Sequence, residues 1–265
     1  MKLVHWLSVG AVVLSSSASF GQQKDAVSAA RFGISIDGYE VSVKDFVGGD
    51  VASDKPKASS TPLKITVDQT GADAMWQWIA TSINQGPVEK KIEGQATGRR
   101  RATFTSAHIT EVKFDDLDAS GSKKPMQVTV TVVPKQIVAA AEAAKPKPAP
   151  AQKPWHAANF KVAIGGLPLT KVSKIDSLTI KQKASESGKP AFELADLRVT
   201  LSTADAKTVA DTLAKDATKP LTIGLTNDDG SVWKTLTVHG LKIQPAQAAG
   251  SNGTIIIKGS KILVN

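Results

Sequence analysis

Alternation of apolar and polar positions dominates this chain. Runs such as "QVTVTVV" from Gln127 and "KTLTVHGLKI" from Lys234 change character at every residue, the period of a strand with one buried face. Turn chemistry punctuates them. Asp37-Gly38 joins two alternating runs, and "NDDG" from Asn227 is a hairpin turn. Helical spacing stands out at Ala72–Gln85, "ADAMWQWIATSINQ", where Met75, Ile79 and Ile83 recur every fourth residue with Trp78 beside them. Trp76 lies two residues from Trp78, about 200° around a helix, so the two rings face different ways. The pattern assigns Trp78 to the core and leaves two readings for Trp76: it turns toward a partner, because large exposed aromatics favour interfaces, or it sits with Trp78 in the rim of the core.

The pattern occurs twice. "FGISIDGYEVS" from Phe32 matches "FKVAIGGLPLT" from Phe160, and "PLKITVD" from Pro62 matches "DLRVTLS" from Asp196. The helical segment from Ala72 aligns with "AKTVADTLAKDATKPL" from Ala206, in which Val209 and Leu213 keep the apolar stripe and Ala210 and Thr212 replace the tryptophans. "GRRRATFTSAHIT" from Gly98 matches "GSVWKTLTVHGLK" from Gly230, and "MQVTVTVVP" from Met126 corresponds to "GTIIIKGSKILVN" at the C-terminus. Each repeat reads as three strands, a helix and three strands. Between them, residues 139–156, "AAAEAAKPKPAPAQKPWH", carry the Lys-Pro and Ala-Pro alternation of an extended spacer. The expected fold class is mainly β with one short helix per unit: two tandem small β-sandwich or barrel domains, at residues 25–138 and 157–265, joined by that linker.

The first residues change the picture of compartment. "MKLVHWLSVGAVVLSSSASFGQQ" has Lys2, an apolar run from Leu3 to Leu14 and then small residues, the layout of a signal peptide over residues 1–21 cut after Gly21 or Ala18. An N-terminal anchor helix is the alternative, but the run is short for a membrane span. The expectation is an exported protein, periplasmic or extracellular. The chain has no cysteine, so disulfides and thiolate metal sites are excluded.

Composition and motifs supply little chemistry. The formal charge is +9, spread over lysines in the linker and loops. Arg99, Arg100 and Arg101 form the densest cluster, yet on an alternating strand they cannot all point one way, so no groove tracking a phosphate backbone is implied. A charged surface between subunits fits them better, and no nucleic-acid partner is expected. His108, His156 and His239 are isolated in sequence, and no nucleophile elbow, zinc helix or phosphate loop occurs. "DDLDASGSKKPMQ" places Asp116, Asp118, Ser120 and Gly121 as a calcium loop would. Its twelfth position is Gln127 rather than a bidentate Glu, so an acidic turn between strands is expected instead. Neither an enzyme nor a cofactor or metal site is expected.

The order of elements resembles the phage tail-tube family, whose fold is shared with the haemolysin-coregulated (Hcp) proteins of type VI secretion. The resemblance rests on "RFGISIDGYEVSVKDF", the helix "ADAMWQWIATSINQGPVEKK", and "ATFTSAHITEVKFDDLDASGSKKPMQVTVTVV" with its Asp116-Leu117-Asp118 before the last strand. It covers most of residues 31–134 and, more faintly, 159–264. It implies six units closing a ring by extending sheets between neighbours, and rings stacking into a tube. A duplicated chain would need three copies for such a ring. The export signal and the duplication both depart from the family. The expected function is therefore a structural protein that self-associates through strand edges, with Trp76, Arg99, Arg100 and Arg101 at or near the contacts. The alternative is a monomeric exported module that binds a glycan or a protein.

Overall fold

The computed structural model describes residues 32–49, 57–58, 61–68, 72–95, 101–120, 125–139, 153–176, 178–184, 190–249 and 252–265. The proposed signal peptide, Arg99, Arg100 and most of the Pro-rich linker lie outside them. The described residues are mainly β with two short helices, in several antiparallel sheets, as the alternation requires.

The first half runs β1 (Phe32–Ile36), β2 (Tyr39–Val43), β3 (Asp45–Gly48), β4 (Lys57–Ala58), β5 (Leu63–Val67), α1 (Asp73–Gln85), β6 (Lys90–Gln95), β7 (Arg101–Phe114), β8 (Leu117–Asp118), β9 (Val128–Val133) and β10 (Gln136–Ala139). The second runs β11 (Phe160–Ile164), β12 (Leu167–Leu169), β13 (Val172–Ile175), β14 (Thr179–Ala184), β15 (Pro190–Leu194), β16 (Leu197–Ser202), α2 (Thr203–Lys215), β17 (Leu221–Thr226), β18 (Val232–His239), β19 (Lys242–Ala249), β20 (Asn252–Lys258) and β21 (Lys261–Val264). The sequence pattern did not anticipate β3 and β13, nor β6 and β17 directly after the helices.

The halves share one strand order. In the second, β12-β11-β17-β18-β21 form one sheet and β19-β20-β16-β13 another. In the first, β2-β1-β6-β7-β10 and β7-β9-β5-β3 follow the same sequence of neighbours, with β7 serving both sheets. Its N-terminal part pairs with β6 and β10, and its C-terminal part with β9. Ser106, at φ 48°, marks the change of direction. The counterpart in the second half is broken into β18 and β19 at Gly240, φ 62°. Both opening hairpins turn through two consecutive residues of positive φ, Asp37-Gly38 (48° and 89°) and Gly165-Gly166 (54° and 84°). That conformation suits the twist of a two-residue hairpin and favours glycine.

Each helix is 13 residues long and follows the strand its repeat leads one to expect. Counted from their first residues, Ile79 corresponds to Val209 and Ile83 to Leu213, and both Ile79 and Val209 are fully buried. In this register Trp76 stands opposite Ala206 and Trp78 opposite Thr208, which replaces the alignment that paired the tryptophans with Ala210 and Thr212. The helices start differently. Ser202 caps α2 by accepting from the Asp205 N–H (3.2 Å), whereas Ala72 offers α1 no side-chain cap.

The apolar faces of both halves meet in one continuous core. Two strand additions seam it. β14 pairs with the C-terminal part of β7, and β8 pairs with β13. The Pro-rich segment therefore ends inside the fold: Trp155 is 4% exposed, and Lys153–His156 do not act as a spacer.

Candidate functional site

The seam between the halves concentrates the chain's aromatic surface. Trp76 projects from α1 onto Phe114 at the end of β7, with ring centroids 5.9 Å apart. Two rings from beyond the first half close over it, Trp155 at 5.5 Å and Trp233 at 5.2 Å, both edge-to-face. Trp155 and Trp233 stack on each other at 4.8 Å and 11°. Such pairs contribute about 0.5–1.5 kcal/mol each beyond the area they bury. Trp155 is fixed by its backbone, whose N–H donates to the Asp68 carbonyl (3.1 Å) and whose carbonyl accepts from the Met126 N–H (2.8 Å).

This geometry corrects the expectation for Trp76. The ring is 2% exposed and meets the other half of its own chain, so its face is already occupied. The helical argument placed the two rings on different faces, as found, but took the second face to be solvent. Trp78, 1% exposed, is in the core as expected, and its indole N–H donates to the Val88 carbonyl (2.8 Å). The Trp76 indole nitrogen has no hydrogen-bond partner among the described residues.

Polar contacts lock the same seam. The Asn84 side-chain amide, at the end of α1, copies a strand neighbour for β21. Its Nδ2 donates to the Val264 carbonyl (2.8 Å) and its Oδ1 accepts from the Val264 N–H (3.0 Å). Lys174 on β13 reaches Asp116 at 2.8 Å and Asp176 at 2.6 Å. Hydrogen bonds to those two carboxylates, Asp116 first, raise the Lys174 ammonium well above its ordinary range. The acidic turn expected at Asp116 thus has a cation of its own chain for a partner. Lys181 on β14 reaches Glu111 on β7 at 3.2 Å.

Beside Trp155 a polar pocket of about 370 Å³ opens between Lys153, Asn159, Asn227 and Asp229. His156, isolated in sequence, is not isolated here: its Nδ1 lies 2.9 Å from Asp228 Oδ1, which also accepts from Asn159 Nδ2 (2.8 Å). The hydrogen bond from His156, then that from Asn159, lowers the Asp228 carboxyl below its ordinary value. Ser231 does the same for Asp229, through its hydroxyl and its backbone N–H. The His156 and Asn159 side chains around one carboxylate make a site suited to holding a polar group.

Arg101 is the one member of the arginine cluster within the described residues. It opens β7 opposite Gln95 and is half-buried. The structure does not bring it to Trp76, which lies at the seam. His108 sits within β7, and His239 ends β18. Comparison with protein-family models and with curated proteins finds no match.

The seam also shows which edges remain open. It covers the outer edge of β7 with β14, while the equivalent strand in the second half, β19, ends its sheet. It covers the outer edge of β13 with β8, while the equivalent strand in the first half, β3, ends its sheet. A joint made once inside the chain therefore leaves, among the described residues, one uncovered face of each kind. Sequence reasoning missed this pairing of faces because it depends on which strands end the sheets. The one available signal was the Trp content of a linker presumed to be extended.

Proposed function

We propose that this protein is a non-enzymatic assembly protein whose copies associate through strand edges, a tail-tube-like tandem module as the sequence resemblance implies. The observation that carries this reading is the internal seam. Two halves of the same strand order meet head to tail by strand addition, and among the described residues nothing pairs with the outer edge of β19 at one end of that arrangement or with the outer edge of β3 at the other. Unpaired sheet edges are templates for strand addition. A head-to-tail contact repeated between copies closes a ring or grows a filament, according to its rotation.

The test is the mass of the purified chain by light scattering after size exclusion, over a concentration series. Discrete trimers or larger closed species support the reading. A monomer at every concentration overturns it and favours the monomeric binding module. That alternative has its own support in the polar pocket around Asp228 and would be pursued by following Trp155 fluorescence against glycans.

A further inference from the structure

In the first half, the flank of α1 that carries Trp76 is filled by Phe114, Trp155 and Trp233. In the second half the same flank of α2 is an open apolar groove of about 630 Å³, within the roughly 300–1,000 Å³ of ligand-sized pockets. Its floor is Leu213, Leu241, Ile243 and Ile255, and its rim is Ala206 and Ala210. Ala206 holds the position of Trp76, so the side chain that fills this flank in the first half is absent from the second. Leu241 and Ile243 lie at the start of β19 and just before it, so the groove runs beside the open edge that corresponds to the covered edge of β7.

We infer that this groove is the seat for the first half of a second copy of the same chain, docked on α2 and β19 as the second half docks on α1 and β7. The inference rests on the self-association proposed above and names its contact surface. The occupant is argued from the chain's own precedent: on α1 this helix flank is covered by Trp233 of the other repeat and by Trp155 just before it, with strand addition on the neighbouring edge. The face offered by the incoming copy follows from the same correspondence. Ile36, Ile92 and Phe104 neighbour one another across the first half as Ile164, Leu221 and Val238 do across the second, so Arg101 corresponds to Thr235, two residues along β18 from Trp233. The start of β7 corresponds to the part of β18 just after Trp233 and is thus the part of the second copy expected nearest the groove, which places Arg101 beside the contact and gives Trp76 no part in it.

The chain has no cysteine, so Ala210→Cys creates a unique attachment point for a benzophenone photo-crosslinker. Irradiation under conditions where the wild type is oligomeric is expected to join two chains, with the second attachment in peptides of residues 32–139. Ala210 is exposed, so Ala210→Glu is expected to leave the melting temperature unchanged. A carboxylate in a desolvated contact weakens association by about tenfold or more. Ala217→Glu, on the same rim, serves if Ala210→Glu fails to fold. If the wild type is oligomeric but both Glu variants associate normally, or crosslinks fall within residues 153–265 of the other copy, the groove assignment is overturned and self-association stands. If the wild type is a monomer throughout, both fall.

Discussion

The two tryptophans of α1 should respond unequally to the same substitution. Trp76 and Trp78 are both buried, at 2% and 1% exposure, so replacing either indole with phenylalanine removes a similar volume. Their polar atoms differ. The Trp78 N–H donates to the Val88 carbonyl at 2.8 Å, while the Trp76 N–H has no partner among the described residues. Removing an unsatisfied buried donor recovers a desolvation penalty of about 1–3 kcal/mol, while deleting a satisfied one loses about 0.5–1.5 kcal/mol of hydrogen bond. Trp76→Phe should therefore be close to neutral, with the recovered penalty offsetting the lost packing. Trp78→Phe should be less stable than Trp76→Phe by about 1.5 kcal/mol, the sum of the two differences at their low ends. Trp76→Ala is a separate matter. It strips the ring that contacts Phe114, Trp155 and Trp233, and loses about 3–5 kcal/mol, a large share of a typical total of about 5–15 kcal/mol. Urea unfolding followed by far-UV circular dichroism measures all three. With a slope of about 1–3 kcal/mol per molar urea, the two Phe variants should differ by roughly 1 M in midpoint. A Trp76→Phe variant no more stable than Trp78→Phe would refute the hydrogen-bond argument. A Trp76→Ala loss below about 1 kcal/mol would refute the claim that this ring holds the seam.

Other expectations follow from individual contacts. Asn84→Ala removes both hydrogen bonds to Val264 and should cost about 1 kcal/mol, less than two buried bonds because Asn84 is largely exposed; amide exchange at Val264 should accelerate while β17 exchange is unchanged. Ser202→Ala removes the α2 cap and should cost about 0.5–2 kcal/mol in thermal or urea unfolding, whereas the uncapped Ala72 of α1 has no such contribution to lose. The Asp228 carboxyl lies below its ordinary 3.8 in the folded protein, so its contacts contribute fully above 3.8 and are lost as pH falls through the lower folded value. Acid titration of Trp155 fluorescence should show a transition below pH 3.8 that Asp228→Asn abolishes; an identical acid profile in that variant would disprove the link.

Much of the fold was legible because its signals are local. The turns at Asp37-Gly38 and Gly165-Gly166, the alternation of β9 and β18, and the stripe of Met75, Ile79 and Ile83 all depend on residues within a few positions of one another. What the sequence obscured is non-local. Trp76 reads as an outward residue on its helix because nothing within α1 reveals that Trp155, 79 positions later, returns to cover it. His156 reads as isolated because Asp228 is 72 residues away. β3 and β6 were missed because β3 is short and β6 carries Lys90 on the face of Ile92 and Gly94, where alternation would place an apolar residue. The helix alignment slipped because its loops differ in length, and a stripe of period near four tolerates a shift of one turn.

The unbroken β7 and its broken counterpart give the two halves different mechanics. In the first half one strand is bonded into both sheets, so a pull on either sheet is transmitted through continuous backbone to the other, and the pair should bear load as a unit. In the second half that path is interrupted at Gly240, between β18 and β19. There the β19–β20–β16–β13 sheet is joined to its neighbour by the shared core and one residue of positive φ rather than by a common strand. A string of such chains would alternate stiff and compliant segments, and its bending would be concentrated at one glycine per copy.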